Sequence, residues 1–315
     1  MTSRLGDGDY VYGDLTDWAG LPEGWNFEEV ADVVVDSQDR VYVFNRGEHP
    51  MIVFERDGSF ATSWGEGLFI RPHGLTLGSD ETLYCVDDKG HCIRKFTLDG
   101  QLLMTIGTPA KSAPLHSGQP FNQPTKVAFD PRTDDLYIAD GYGNAKVHKF
   151  SADGKHLFSW GEYGTDPGQF NLVHSVCTDS DGKVYVADRE NHRVQIFDDQ
   201  GNYLEQWNNL HRPCGLYIEG ELAYIGQLPT HLTVNADYPN IGACVSIHDL
   251  TGRRLARLGD VRPGEEPGQF TAPHGLIVDS HGNIYVGEVS WSAYGSRLDP
   301  PRTTRCFRKL IKVRH

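Results

Sequence analysis

Three histidines open short apolar segments that follow one template: HGLTLGSDETLYCVD (73–87), HSVCTDSDGKVYVAD (174–188) and HGLIVDSHGNIYVGE (274–288). Three imidazoles with an open fourth position form the ligand set of a catalytic zinc site. Calcium would ask for oxygens instead. The matching position of three further repeats holds a small residue: Ala31, Thr125 and Cys214. At the end of the second strand of each repeat stand Asn45, Asp87, Asp140, Asp188, Gln227 and Glu288, oxygens that serve either a site or the capping of turns. Arg46 and Arg189 come one residue later, and Tyr142 follows Asp140-Gly141. Two guanidiniums and a phenol near a metal point to an anionic substrate, because Arg pairs bidentately with carboxylates. Each also has an ordinary role open to it: Arg189 can pair with Glu190 or Asp188, and Tyr142 can pack a loop.

The elements that position these residues are read from the repeat. Six segments begin near 31, 73, 125, 174, 214 and 274, each an apolar stretch, an Asp/Gly turn and a second apolar stretch. Third strands follow, as in MIVFER, CIRKFT, AKVHKF and RVQIFD, and fourth strands such as SFATSWGE and HLFSWGE. Strands are short, rich in Val, Ile, Tyr and Phe, with little helical periodicity. Repeated four-stranded units describe an all-β fold, a six-bladed β-propeller around a central channel, as one domain over 1–315. The last unit is one strand short, and the β-prone patch Tyr10–Tyr12 is expected to pair with it and close the ring. Histidine on blades 2, 4 and 6 then converges at about 120° intervals on the channel. The long loops 107–124, 161–173, 228–243, 259–273 and 289–305 share the face where the histidines stand, which makes that face the candidate site.

Composition narrows the function classes. The chain has 315 residues with Lys+Arg 29 against Asp+Glu 43, a net charge of -14, so no nucleic-acid partner is expected. No apolar run reaches the roughly 18–20 residues of a membrane span, and the N-terminal residues carry no signal-peptide pattern. A cytoplasmic protein that does not engage membranes is the expectation. The six cysteines form no CxxC pair and are read as reduced thiols, although Cys85 and Cys92 could face each other across a hairpin.

FNQPTKVAFDPRTDDLYIADGYGNAKVHKFSADGKHLFSWGE (121–162), with RPHGL, FNLVHSV, VADRENHRVQIF, APHGLIVDSHGNIYVGE and FNRGEH in order, resembles the peptidyl-α-hydroxyglycine α-amidating lyase family. That family is a branch of the NHL-repeat six-bladed propellers, and the resemblance covers nearly the whole chain. It implies a C–N lyase that splits an α-hydroxyglycine carbinolamide into a primary amide and glyoxylate. It implies zinc on His73, His174 and His274, a catalytic Tyr142, and functional guanidiniums at Arg46 and Arg189. Zinc acidifies a bound hydroxyl, which leaves Tyr142 as the candidate base. Either Arg can hold the carboxylate that becomes glyoxylate.

The departures carry information too. The resemblance implies a channel calcium held by two backbone carbonyls, here Val33 and Leu75, and an Asp directly after the third histidine. That position is Gly275. Asp32 and Lys126 lie one residue past the histidine layer, and their ion pair is expected to replace the calcium. The disulfide next to the catalytic Tyr is also missing, since Gly143 occupies its place. The expected substrate is a small N-acyl or short-peptide anion; oligomeric state is left open. His49, His192, His231 and Trp291 are candidate pocket lining, alongside Tyr238 and Tyr294. Two other classes remain open from sequence: a zinc propeller enzyme of another reaction type, hydrolase or eliminase, and a non-catalytic interaction scaffold.

Overall fold

The computed structural model describes residues 3–15, 17–236 and 238–313. They form a six-bladed β-propeller of mostly antiparallel four-stranded sheets. The local cause is the turn that joins the first two strands of a blade. Asp36 Oδ1 accepts the backbone N–H groups of Gln38 and Arg40. Asp179 and Asp279 repeat this with the residues two and four further on. An Asx turn of this kind satisfies the turn's own donors and brings the strands back antiparallel. Tyr42 and Tyr185 donate from the following strand to the second oxygen of the same Asp.

The chain divides into two compact units, residues 67–220 and residues 1–66 with 221–315. The first contains blades 2 to 4, whose opening strands are Pro72–Leu77, Pro124–Phe129 and Val173–Thr178, and the opening strand Pro213–Glu219 of blade 5. Its core lies between sheets: Tyr137, Val147, Trp160, Phe170, Val184 and Phe197 are buried together. The second unit contains blade 1, opening with Val30–Val35, and blade 6, opening with Pro273–Val278. Trp18, Val43, Phe54, Tyr285 and Phe307 pack there. The sheet of blade 6 is completed by Tyr12–Leu15, which runs antiparallel to Phe307–Lys312. Of the Tyr10–Tyr12 patch only Tyr12 lies in that strand. Asp14 fixes it through ion pairs with Arg305 at 2.9 Å and Arg308 at 3.0 Å.

All six cysteines are free thiols. The hairpin register of blade 2 sets Asp87 opposite Cys92 and Arg94 opposite Cys85. The two thiols therefore do not face each other, because they sit at different rungs of the ladder. No helix among the described residues is long and apolar enough to cross a membrane.

Candidate metal centre

The opening strands of blades 1, 2, 3, 4 and 6 break register at one place. The shift falls between Val30 and Asp32, Pro72 and Leu75, Pro124 and Lys126, Val173 and Ser175, and Pro273 and Gly275. In blades 2, 4 and 6 the skipped position includes the histidine. A bulge releases one residue from the ladder and re-aims its side chain. The acidic and amide residues at the end of the second strand hold the segment that leads into it. Asp87 accepts from Ile70 and Arg71 N–H, Asp188 from Asn171 N–H, and Glu288 from Thr271 and Ala272 N–H. These three carboxylates cap the entering segments and so fix where each histidine emerges.

The small residues have a complementary task. His73 Nδ1 donates to the Thr125 carbonyl at 2.8 Å, His174 Nδ1 to the Cys214 carbonyl at 3.1 Å, and His274 Nδ1 to the Ala31 carbonyl at 2.6 Å. Each histidine thus anchors on the same register position of the following blade. A carbonyl can only accept, so the proton sits on Nδ1 and the lone pair on Nε2, the tautomer of metal-ligating histidines. All three rings are buried, and their ligand atoms lie within 4.8 Å of one another. The cluster can hold a metal ion.

Tyr142 stands against this cluster. Its hydroxyl is 3.2 Å from His73 Nε2 and 3.1 Å from His174 Nε2. The phenol has one proton for two acceptors, and a cation among these atoms would satisfy the second. The donor set therefore suits a metal that prefers nitrogen, with Tyr142 beside it. Arg189 Nη1 points at the same hydroxyl from 3.4 Å, with its guanidinium carbon 5.5 Å from the ring centre. Burial opposes the charge on Arg189, but the Tyr142 oxygen, the Cys214 sulfur and Glu190 outweigh it, and its pKa is raised. Glu190 takes Nε of Arg189 at 2.8 Å and Nη2 of Arg212 at 2.9 Å. Burial pushes the Glu190 carboxyl up, yet these partners bring it down to about 2. Sequence reasoning missed Arg71, whose guanidinium lies 5.7 Å from the Tyr142 ring centre while its Nε binds Asp88 at 2.7 Å. The signal for it was its place two residues before His73, matched by Arg212 two residues before Cys214. Cys214 Sγ lies 3.3 Å from His174 Nδ1, and burial pushes its thiol up to about 12.

The remaining candidates have contacts of their own. Arg46 Nη1 donates to Glu29 at 2.8 Å, and Glu29 also receives the backbone N–H and hydroxyl of Ser292. His49 stacks on Trp25 with ring centres 3.3 Å apart and contacts Glu66. His192 ends the short turn 189–191 in a left-handed conformation and accepts the Arg212 N–H at 3.3 Å. His231 is exposed and Trp291 half-buried. One residue past the histidine layer, Lys126 Nζ donates to the Leu75 carbonyl at 2.6 Å. Asp32 Oδ1 accepts the Val33 N–H at 2.9 Å, and a Cβ built on Gly275 would come to 2.5 Å from Asp32 Cα. A side chain at 275 has no room.

Fold and site together define a class: NHL-repeat propellers with a buried three-histidine cluster. The NHL repeat family matches residues 121–150 and 170–197. NHL repeat-containing protein 3 of Mus musculus is 36% identical over 279 residues, covering 82% of this chain and 76% of that protein. The chain belongs to this family of NHL-repeat proteins. It is also similar to peptidyl-alpha-hydroxyglycine alpha-amidating lyase 1 of Drosophila melanogaster, 28% identical over 254 residues. That match spans 74% of this chain but 45% of the lyase. Virginiamycin B lyase from Staphylococcus aureus shares the fold at 13% identity, with a TM-score of 0.57 over 83% of this chain and 78% of that one.

Proposed function

We propose that the protein is a metal-dependent carbon–nitrogen lyase acting on a small anionic α-hydroxyglycine carbinolamide, with an amide and glyoxylate as products. The observation that carries this reading is the Tyr142 hydroxyl set 3.2 and 3.1 Å from two histidine Nε2 atoms. His73, His174 and His274 would hold the ion, with zinc favoured by the nitrogen donor set. Bound there, the metal supplies Lewis acidity toward the carbinol oxygen. The chain's own residues then account for the proton. Tyr142 oxygen, as the phenolate, takes it from the carbinol O–H; the O–H electrons become the C=O bond of glyoxylate as the C–N bond breaks. The nitrogen keeps that bonding pair and receives a proton from the Tyr142 hydroxyl. Guanidiniums of Arg189 and Arg71 near the ring stabilise the phenolate that accepts this proton. Arg46 or Arg189 holds the substrate carboxylate, as bidentate Arg pairing favours.

The Leu75 carbonyl already receives the Lys126 ammonium. This supports a channel filled by an internal cation rather than by calcium. Metal analysis is expected to find a transition metal and no stoichiometric calcium.

The test is glyoxylate release from N-benzoyl-α-hydroxyglycine with and without chelator, alongside His174→Ala. Chelator-sensitive turnover that His174→Ala abolishes together with bound metal is expected. No turnover from metal-loaded protein would overturn the reading and leave a metal enzyme of another reaction type or the scaffold class.

A further inference from the structure

A second cavity, of about 380 Å³, lies within the unit that contains blades 1 and 6. Its walls include Ala236, Arg262, Pro263, Tyr294, Arg297 and Leu298, and none of the three histidines lines it. The volume suits a small organic ligand. Its charge runs against the rest of the molecule. The chain carries a net charge of -14, and several guanidiniums of the same unit are paired: Arg253 with Asp249, Arg302 with Glu265, Arg305 with Asp14. Arg262 and Arg297 have no carboxylate within ion-pair distance among the described residues, and both face the same cavity.

The loops that carry Thr230, Ala236 and Arg262 also carry an apolar ledge. Leu232, Val234, Tyr238 and Val261 are exposed, Val234 by 78%. The ledge is built from two loops joined by the Asn240 N–H on the Val261 carbonyl at 2.7 Å. Exposed apolar side chains on loops that also supply cavity walls fit a surface that binds an amphipathic ligand. The chain leads from His274 to a wall of the cavity, whose lining includes Ala293. Pro273, next to His274, pairs with Glu288, and the helical turn Ser290–Ala293 leaves the strand at that end. Ser292 in this turn binds Glu29, the partner of Arg46.

We propose that this cavity binds an aliphatic carboxylate, its charged group on Arg262 and Arg297 and its hydrocarbon chain along the ledge. Resting on the lyase reading, one source of that group is the acyl arm of the substrate when the arm ends in a second carboxylate. A free fatty acid is the other source.

The experiment has two arms. Calorimetry with decanoate compares the wild-type protein with Arg262→Gln/Arg297→Gln, whose exposed side chains are not needed for folding. Glyoxylate release then compares an N-(ω-carboxyacyl)-α-hydroxyglycine with the uncharged N-acyl compound of equal length. The expected result is decanoate binding weakened at least about tenfold by the double substitution. A matching loss of kcat/KM confined to the carboxy-substrate assigns the cavity to the acyl arm. Arg-dependent decanoate binding with both substrates turned over alike assigns it to a free acid. The same binding with neither substrate turned over leaves the cavity standing and removes the lyase reading alone. Absent decanoate binding, or binding indifferent to the two arginines, overturns the proposal.

Discussion

Tyr142→Phe removes a single oxygen from the candidate site, and the consequences can be worked from its contacts. That oxygen lies 3.2 Å from His73 Nε2, 3.1 Å from His174 Nε2 and 3.4 Å from Arg189 Nη1. The ring itself keeps its place between Arg71 and Arg189. As structure, the loss is one half-buried hydrogen-bonding group, about 1 kcal/mol. As chemistry, the loss is the proton acceptor, and positioned general bases contribute about 10²–10⁴-fold in rate. At 1.36 kcal/mol per decade this is about 2.7–5.4 kcal/mol on the barrier, several times the structural cost. Glyoxylate release should therefore fall at least about a hundredfold in kcat with KM nearly unchanged, the pattern of an interaction made only in the transition state. Metal content measured on the same sample should stay at the wild-type level, since the histidines keep their carbonyl anchors. A variant retaining more than about a tenth of wild-type kcat would refute the base assignment. Loss of metal would refute it differently, by making the phenol a ligand.

Two further predictions concern the supports of the site. Gly275→Ala places a Cβ 2.5 Å from Asp32 Cα, and overpacking against backbone should cost about 1–3 kcal/mol; a thermal melt with unchanged Tm would contradict the close packing. For Glu190, the carboxyl falls from 4.5 to about 2 in the folded protein. A depressed carboxyl stabilises above its unfolded value, and that stability is lost as pH falls toward the folded one, here on the order of 3 kcal/mol between pH 4.5 and 2. The gap in urea midpoint between wild type and Glu190→Gln should hold from pH 7 to 5 and shrink below that; a gap that does not change down to pH 3 would rule out the ion-pair account.

Much of the site was legible as repeated spacing. His73, His174 and His274 occupy one register position of a repeat, so a fold that stacks the repeats must bring them to one level. Tyr142 and Arg189 follow the ends of second strands on neighbouring blades, and the structure joins them at 3.4 Å. Arg71 escaped because it lies before its histidine, at a place where only blade 5, with Arg212, carries the same residue type. The His49–Trp25 stack escaped because it pairs a rim residue with a segment outside the repeat.

The blade is written in the order of residues: Asp/Gly turns that satisfy their own donors, β-branched strands between them, and histidine alternating with small residues. These are local or periodic properties, and they act through neighbours in the chain. Only the tertiary structure decided how the histidines are aimed. The bulge that releases each from its ladder is a one-residue change of register, and the carbonyls of Ala31, Thr125 and Cys214 that fix the tautomers come from 40 to 243 residues away. The Lys126 ammonium on the Leu75 carbonyl, 51 residues apart, belongs to the same category. A backbone carbonyl carries no side-chain signature, so no pattern of residue types announces which one a ring nitrogen will reach.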